Sequence, residues 1–241
     1  MYSLTHFTLR DMTKCGAALR KIGSGATSME SVADRIVRYL YEGFIDEQTG
    51  QSALALVRCF KTHSCSELEA ELHQFASQML TGQPISPTMN CLILLATAGD
   101  QPEWNDRRDS AQHQAIPLSS EQLLAQSPMI SHLMKQFGLE IGSVSSPDPE
   151  LLVDIEQETF NVFHVPNAVN SLHIPAQANF VMPYRIESVL GFGGMLPSGH
   201  LIAVILFSKV HIPRSTADMF KTLALNTKMA VLPFDQGIVF D

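Results

Sequence analysis

The sequence predicts an α/β fold, a central antiparallel sheet with helices on both faces, and three observations predict it. With 45% hydrophobic and 17% charged residues among 241, the chain is globular and long enough to bury a sizeable core. Segments with apolar residues at helical spacing alternate with short β-branched apolar runs. The stretch "IESVLGFGGMLPSGHLIAVILFSK" (186–209) sets two such runs around Pro197-Ser198-Gly199, which is the pattern of a hairpin. Gly191, Gly193 and Gly194 therefore lie between two strands. A phosphate-binding loop needs them between a strand and a helix, so they read instead as places of close backbone approach.

The first helix is "FTLRDMTKCGAALRKIG", ended by Gly23-Ser24-Gly25. Its apolar residues Met12, Cys15, Leu19 and Ile22 recur at three, four and three, as in a coiled-coil seam. This marks 1–24 as a dimerisation helix, or else as a helix docked on its own domain. "SMESVADRIVRYLYEGF" is a second helix, capped by Ser28, with Val32, Ile36, Val37 and Leu40 on one face.

"SALALVRCFKTH" reads as a strand. Alternation puts Leu54, Leu56, Arg58 and Phe60 on one face and Ala55, Val57, Cys59, Lys61 and His63 on the other. A third helix, "SELEAELHQFASQML", opens on Ser66 with Glu69 at the capping-box position. Then come strand "MNCLILLATAG" and the polar segment "DQPEWNDRRDSAQHQAIPL", which holds the chain's single tryptophan. A helix kinked at Pro128 and a strand near 160–165 precede the hairpin. The closing helix "STADMFKTLALNTKMAV" repeats Phe220, Leu223, Thr227 and Ala230 at seam spacing, Pro233 stops it, and 235–241 is left as a tail. The main domain is thus 25–234.

Acidic residues outnumber basic ones, 24 to 16, for a net charge of -8, which opposes nucleic-acid backbones and anionic membrane surfaces. The N-terminus has no signal-like apolar core, and the longest apolar run, 201–207, falls far short of a span. A cytoplasmic location is expected. Four cysteines are too few for a disulfide scaffold and form no paired C-x-x-C. No G-x-S-x-G, H-E-x-x-H or Walker pattern occurs. The acidic residues Glu150, Asp154 and Glu158 share one helical face and read as solvated surface.

The order "NVFHVPNAVNSLHIPAQANF", "VMPYRIESVLGFGGMLPSGHLIAVILFSK", "STADMFKTLALNTKMAV" resembles the C-terminal half of the GAF family of small-molecule-sensing domains. The resemblance extends over roughly 28–232 and is strongest over 180–210. The chain departs from the family in two places: a whole helix lies between its first two strands, and Arg185 stands where glycine commonly follows the tyrosine. The resemblance implies a non-enzymatic, ligand-binding homodimer that signals through its terminal helices to a partner such as a bacterial histidine kinase. It also implies a pocket built from 98–145 and 160–185, to which Trp104, Asn105, Arg107, His164 and Tyr184 are assigned. The aromatic plate and polar groups of "PEWNDRR" suit a planar or anionic ligand, although Trp104 could equally plug the domain's edge.

The stretch 98–180 has no cysteine, so it lacks what bilin-attaching members of the family use. Cys59 and Cys91 fall on strands rather than in pocket loops, unlike the cysteines of methionine-sulfoxide-reducing members. The ligand itself is not named by the sequence. The rival expectation is a redox, metal or haem centre using Cys59, His63, Cys65 or Cys91. A strand places Cys59 and His63 about 13 Å apart, which leaves no metal site without a bend.

Overall fold

The structure, a computed structural model, describes residues 1–80, 84–86, 88–110, 113–118, 129–130 and 162–241. Its centre is a six-stranded sheet built from β1 (Leu54–Ser64), β2 (Asn90–Gly99), β3 (Ala115–Pro117), β4 (Val162–Val165), β5 (Ser188–Met195) and β6 (Leu201–Ser208). The order is β3-β2-β1-β6-β5-β4, and every pairing is antiparallel. The helices are α1 (Leu9–Lys21), α2 (Met29–Gly43), α3 (Ala70–Met79) and α4 (Arg214–Val231). The expected α/β class and the helix between the first two strands are both present.

Every residue of β2, β5 and β6 is buried, because both faces of the sheet are covered. One face lies under α2, which packs on β1 and β2, and α4, which packs on β4 and β5; α1 packs on α4. The opposite face is covered by 166–187, with one π-helical turn at Gln177–Val181, and by the helical residues Met129 and Ile130. The hairpin forms as expected. Gly199 closes its turn at φ 82°, and a Cβ on Gly193 would stand 2.0 Å from the Ile202 carbonyl oxygen, so no larger residue fits there.

The seam expected on α1 is consumed inside the chain. Cys15 and Leu19 are fully buried, with Met12 and Ile22 packed against the same core. Arg20 also ties α1 to α4 through two hydrogen bonds to Asn226 Oδ1. Phe220, Leu223, Thr227 and Ala230 of α4 are buried as well, and the Phe220 ring lies 5.2–5.8 Å from those of Phe7, Phe44 and Phe192. Seam spacing alone does not say whether the matching stripe belongs to another copy or to the same chain, and here it belongs to the same chain.

Two further expectations change. Ser66 caps nothing: Cys65–Glu67 is a 3₁₀ turn, and α3 starts only after Glu69, whose side chain makes no capping bond. The capping box is formed instead at α1, where Thr8 and Asp11 bond reciprocally. In β1, register shifts between Leu54 and Leu56 and between Cys59 and Phe60 move Leu54 to the helix-covered face and Ala55 to the other.

Residues 235–241 are not a loose tail. The carbonyls of Ile238 and Val239 accept from the amides of Met29 and Glu30 at 2.9 and 2.8 Å, while Ser28 Oγ accepts from Ser31 N at 2.9 Å. The C-terminal segment thereby completes the cap that Ser28 begins on α2. The kinked helix expected around Pro128 and the acidic face of Glu150, Asp154 and Glu158 lie outside the described residues, Met129 and Ile130 apart. Among the described residues no helix is long and apolar enough to cross a membrane.

Candidate functional site

The sheet face away from α2 and α4 carries a cavity of ≈ 520 Å³, within the usual range of about 300–1,000 Å³ for small-molecule sites. Its floor is sheet: Leu56, Arg58 and Phe60 of β1, Leu92 of β2, Ala203, Ile205 and Phe207 of β6. Its walls come from residues of 103–110 with His113 and Ile116, from Met129 and Ile130, and from residues of 174–184. Loops at the open face of a rigid sheet are where binding groups concentrate.

Trp104 and Tyr184, both assigned to a pocket from the sequence, line this cavity. Their rings meet edge to face with centroids 4.5 Å apart, and Phe180 stands 5.8 Å from each. Phe180 in turn meets Phe207 of the floor at 5.0 Å. The result is a continuous aromatic wall. Trp104 is held in place by the 3₁₀ turn Pro102–Trp104 at the end of β2.

The other three assigned residues do not line this cavity; Asn105 and Arg107 line a second one of ≈ 270 Å³ beside α2, and His164 lines neither. Asn105 pins the turn: its amide donates to the carbonyls of Gly99 and Gln101 at 3.0 and 2.7 Å and accepts from Gly99 N at 3.2 Å. Arg107 points to the opposite side. Its Nε and Nη2 donate to Glu30 Oε1 and Oε2 at 2.5 and 3.0 Å, Glu69 Oε2 lies 3.4 Å away, and the guanidinium sits 5.2 Å from the Phe240 ring centroid. Burial works against its charge, but the carboxylates of Glu30 and Glu69 raise its pKa above the ordinary value.

His164 is turned away by strand alternation. It pairs with Leu190 on the helix-covered face, and its Nε2 lies 3.0 Å from the Ile212 carbonyl oxygen. Its strand neighbours Phe163 and Val165 face the cavity side instead.

The polar group that sequence reasoning passed over is Arg58. It rises from the floor on a central strand, and one Nη donates to Ser110 Oγ at 3.2 Å. Its Nε is buried without a hydrogen-bond partner, and no carboxylate among the described residues forms an ion pair with it. Burial lowers its pKa to about 10, so at neutral pH it remains a cation. His113 stands exposed at the rim with φ 67°. The available signal was a lone arginine in "LALVRCF", on the same face as Leu56 and Phe60.

The rival set of Cys59, His63, Cys65 and Cys91 is not brought together around one point. Cys65 and Cys91 are bonded to each other as a disulfide, which removes both thiolates from any ion. Cys59 is fully buried and its thiol is pushed up to about 12 by burial. Among the described residues no group of three or more His, Cys, Asp or Glu side chains is placed to hold a metal. Comparison with family models gives no match, and neither does comparison with curated proteins.

Proposed function

We propose that the chain is a GAF-like, non-enzymatic sensory module that binds one small molecule in the cavity over Arg58. The observation that supports this is the pairing of a sizeable cavity with an aromatic wall and one isolated polar group on its floor. Such a site offers shape and orientation, with few groups able to do chemistry. Signal would pass through the sheet: β1 and β6 form the cavity floor, β1 underlies α2, and β6 is paired with β5, which underlies α4. A ligand that binds one arrangement of these layers better than another shifts the population toward it.

The same proposal places the module in the cytoplasm, feeding a signalling partner such as a histidine kinase, and makes it a homodimer. The dimer cannot use the buried stripe of α1. The surface left on the terminal helices is the run Leu225, Met229 and Leu232, exposed at spacings of four and three. The test of the sensing role is native mass spectrometry of the chain purified from its own cells, followed by thermal shift with a metabolite panel. A retained small molecule, or a shift from one compound class, is the expected result. Protein that carries nothing and responds to nothing overturns it.

A further inference from the structure

Resting on that cavity reading, we infer that the ligand is an organic carboxylate: a small acid whose carboxylate pairs with the Arg58 guanidinium while an apolar or aromatic body lies against Phe180, Phe207 and Trp104. A guanidinium carries five N–H donors in a fixed fork that matches a carboxylate in a bidentate manner. Arg58 makes one hydrogen bond to a neutral hydroxyl, and its Nε is buried and unpaired. A cationic group with a buried, unpaired donor is costly unless something pairs with it. Arg107, the buried arginine of the described structure, shows what pairing looks like here, since it is met by both oxygens of Glu30.

The neighbourhood of Arg58 fits an incoming anion. Its cross-strand partner on β2 is Thr97, whose buried hydroxyl also lacks a hydrogen-bond partner among the described residues. Its partner on β6 is Ile205, which lines the cavity floor. Thr97 is not among the residues that line this cavity, so the orphaned donor that belongs to it is Arg58 Nε. A buried donor without a partner is an exception that calls for one.

The charge of the anion is bounded as well. Among the described residues Arg58 is the one arginine or lysine in the lining, and the carboxylates of Glu103 and Asp109 share the cavity with it. A phosphate, with two charges and more oxygens to satisfy, would meet too few donors and two repelling groups. A monoanion with one polar end suits the site. The extensive aromatic and aliphatic wall supplies the remaining affinity through burial.

The test is calorimetric titration of the full chain with matched pairs: octanoate against octanamide, and indole-3-acetate against indole-3-acetamide. Each pair keeps the body and changes only the charge of the head group. The expected result is that the acid of at least one pair binds about tenfold or more tighter than its amide, as a charge-assisted hydrogen bond requires. Arg58→Met should erase the preference for the acid over its amide, and Arg58→Lys should retain part of it. If Arg58→Met does not fold, the wild-type comparison and Arg58→Lys still decide the matter. Acid and amide binding equally overturns the carboxylate inference and leaves the cavity reading standing. Binding of neither member of either pair overturns the inference and counts against the cavity reading too.

Discussion

The rings of Trp104 and Tyr184 meet edge to face at 4.5 Å across the mouth of a cavity, although 79 residues of chain lie between them. The contact joins the segment after β2 to the segment before β5, so the two irregular walls hold each other in place. Because Trp104 is the only tryptophan, its emission reports on this wall alone. Ligand entering the cavity should change tryptophan intensity or wavelength in proportion to calorimetric occupancy. Trp104→Phe should silence the signal and keep affinity within a few-fold. Trp104→Ala should weaken binding at least about tenfold and cost on the order of 2 kcal/mol of stability through the lost packing. Full binding with unchanged emission would put the ligand somewhere else.

Arg107, assigned from the sequence to a ligand, forms a buried ion pair with Glu30. Both side chains are nearly sealed, at 6% and 11% exposure, and the pair clamps the loop after β2 to the start of α2. Removing one partner strands the other charge in the interior. Glu30→Gln should therefore cost about 3–5 kcal/mol in urea unfolding with no loss of ligand affinity in the folded protein. Asp34→Asn, which breaks the exposed pair with Arg38, should cost about 0–1 kcal/mol. Equal costs for the two variants would refute the burial argument.

Why was Arg58 harder to see than Arg107? The hairpin, the helix faces and the Ser28 cap are local features, set by spacings of two to four residues, and these were legible in the sequence. Trp104 and Tyr184 were legible as large aromatics in irregular segments. Arg107 stood beside Trp104 and shared its assignment, but a 3₁₀ turn at Arg107–Asp109 aims its side chain at Glu30, 77 residues away. That partner is a tertiary fact with no local trace. His164 failed for a simpler reason: it lies on the strand expected near 160–165, and alternation sends its side chain to the helix-covered face. Arg58 was on the correct face in the sequence reading. What was missing was the knowledge that no carboxylate among the described residues would come to meet it.

The thiols should behave as two buried residues and one bond. Cys15 and Cys59 are buried, and burial pushes both thiols up to about 12, so neither offers thiolate at neutral pH. Native protein should react with essentially no thiol reagent within minutes, and mild oxidation should produce no dimer through Cys15. Denatured protein should expose two thiols, and four after reduction. Cys65–Cys91 closes a loop with a sequence separation of 26, so its loss in the Cys65→Ala/Cys91→Ala variant should cost about 3 kcal/mol. Rapid labelling of Cys15 in the folded chain would contradict its place in the core.

Part of the pH dependence should come from one end of the β1–β6 pair. Lys61, 1% exposed, directs its Nζ to the Thr62 carbonyl at 2.9 Å and lies 3.5 Å from His63 Nδ1. The His63 ring is 6.0 Å from that of His200. Desolvation first, then the charge of Lys61, bring His63 and His200 down to about 4. Desolvation brings Lys61 down to about 8, with Asp235 and Glu67 opposing. For each group the folded value is depressed below the unfolded one, so between the two values the unfolded chain holds more protons. Stability should then fall as pH drops from about 6.5 toward 4, by on the order of 3 kcal/mol for His63 if its whole shift is realised. It should rise between about pH 8 and 10.5 as Lys61 loses its proton. Neither trend depends on the ligand. Urea midpoints of wild type and His63→Phe, measured from pH 4.5 to 7, provide the check: the variant should show a clearly flatter acid limb, because the phenyl ring keeps the contact with Phe240 and cannot take a proton. An unchanged acid limb would show that His63 titrates alike in the folded and unfolded chain.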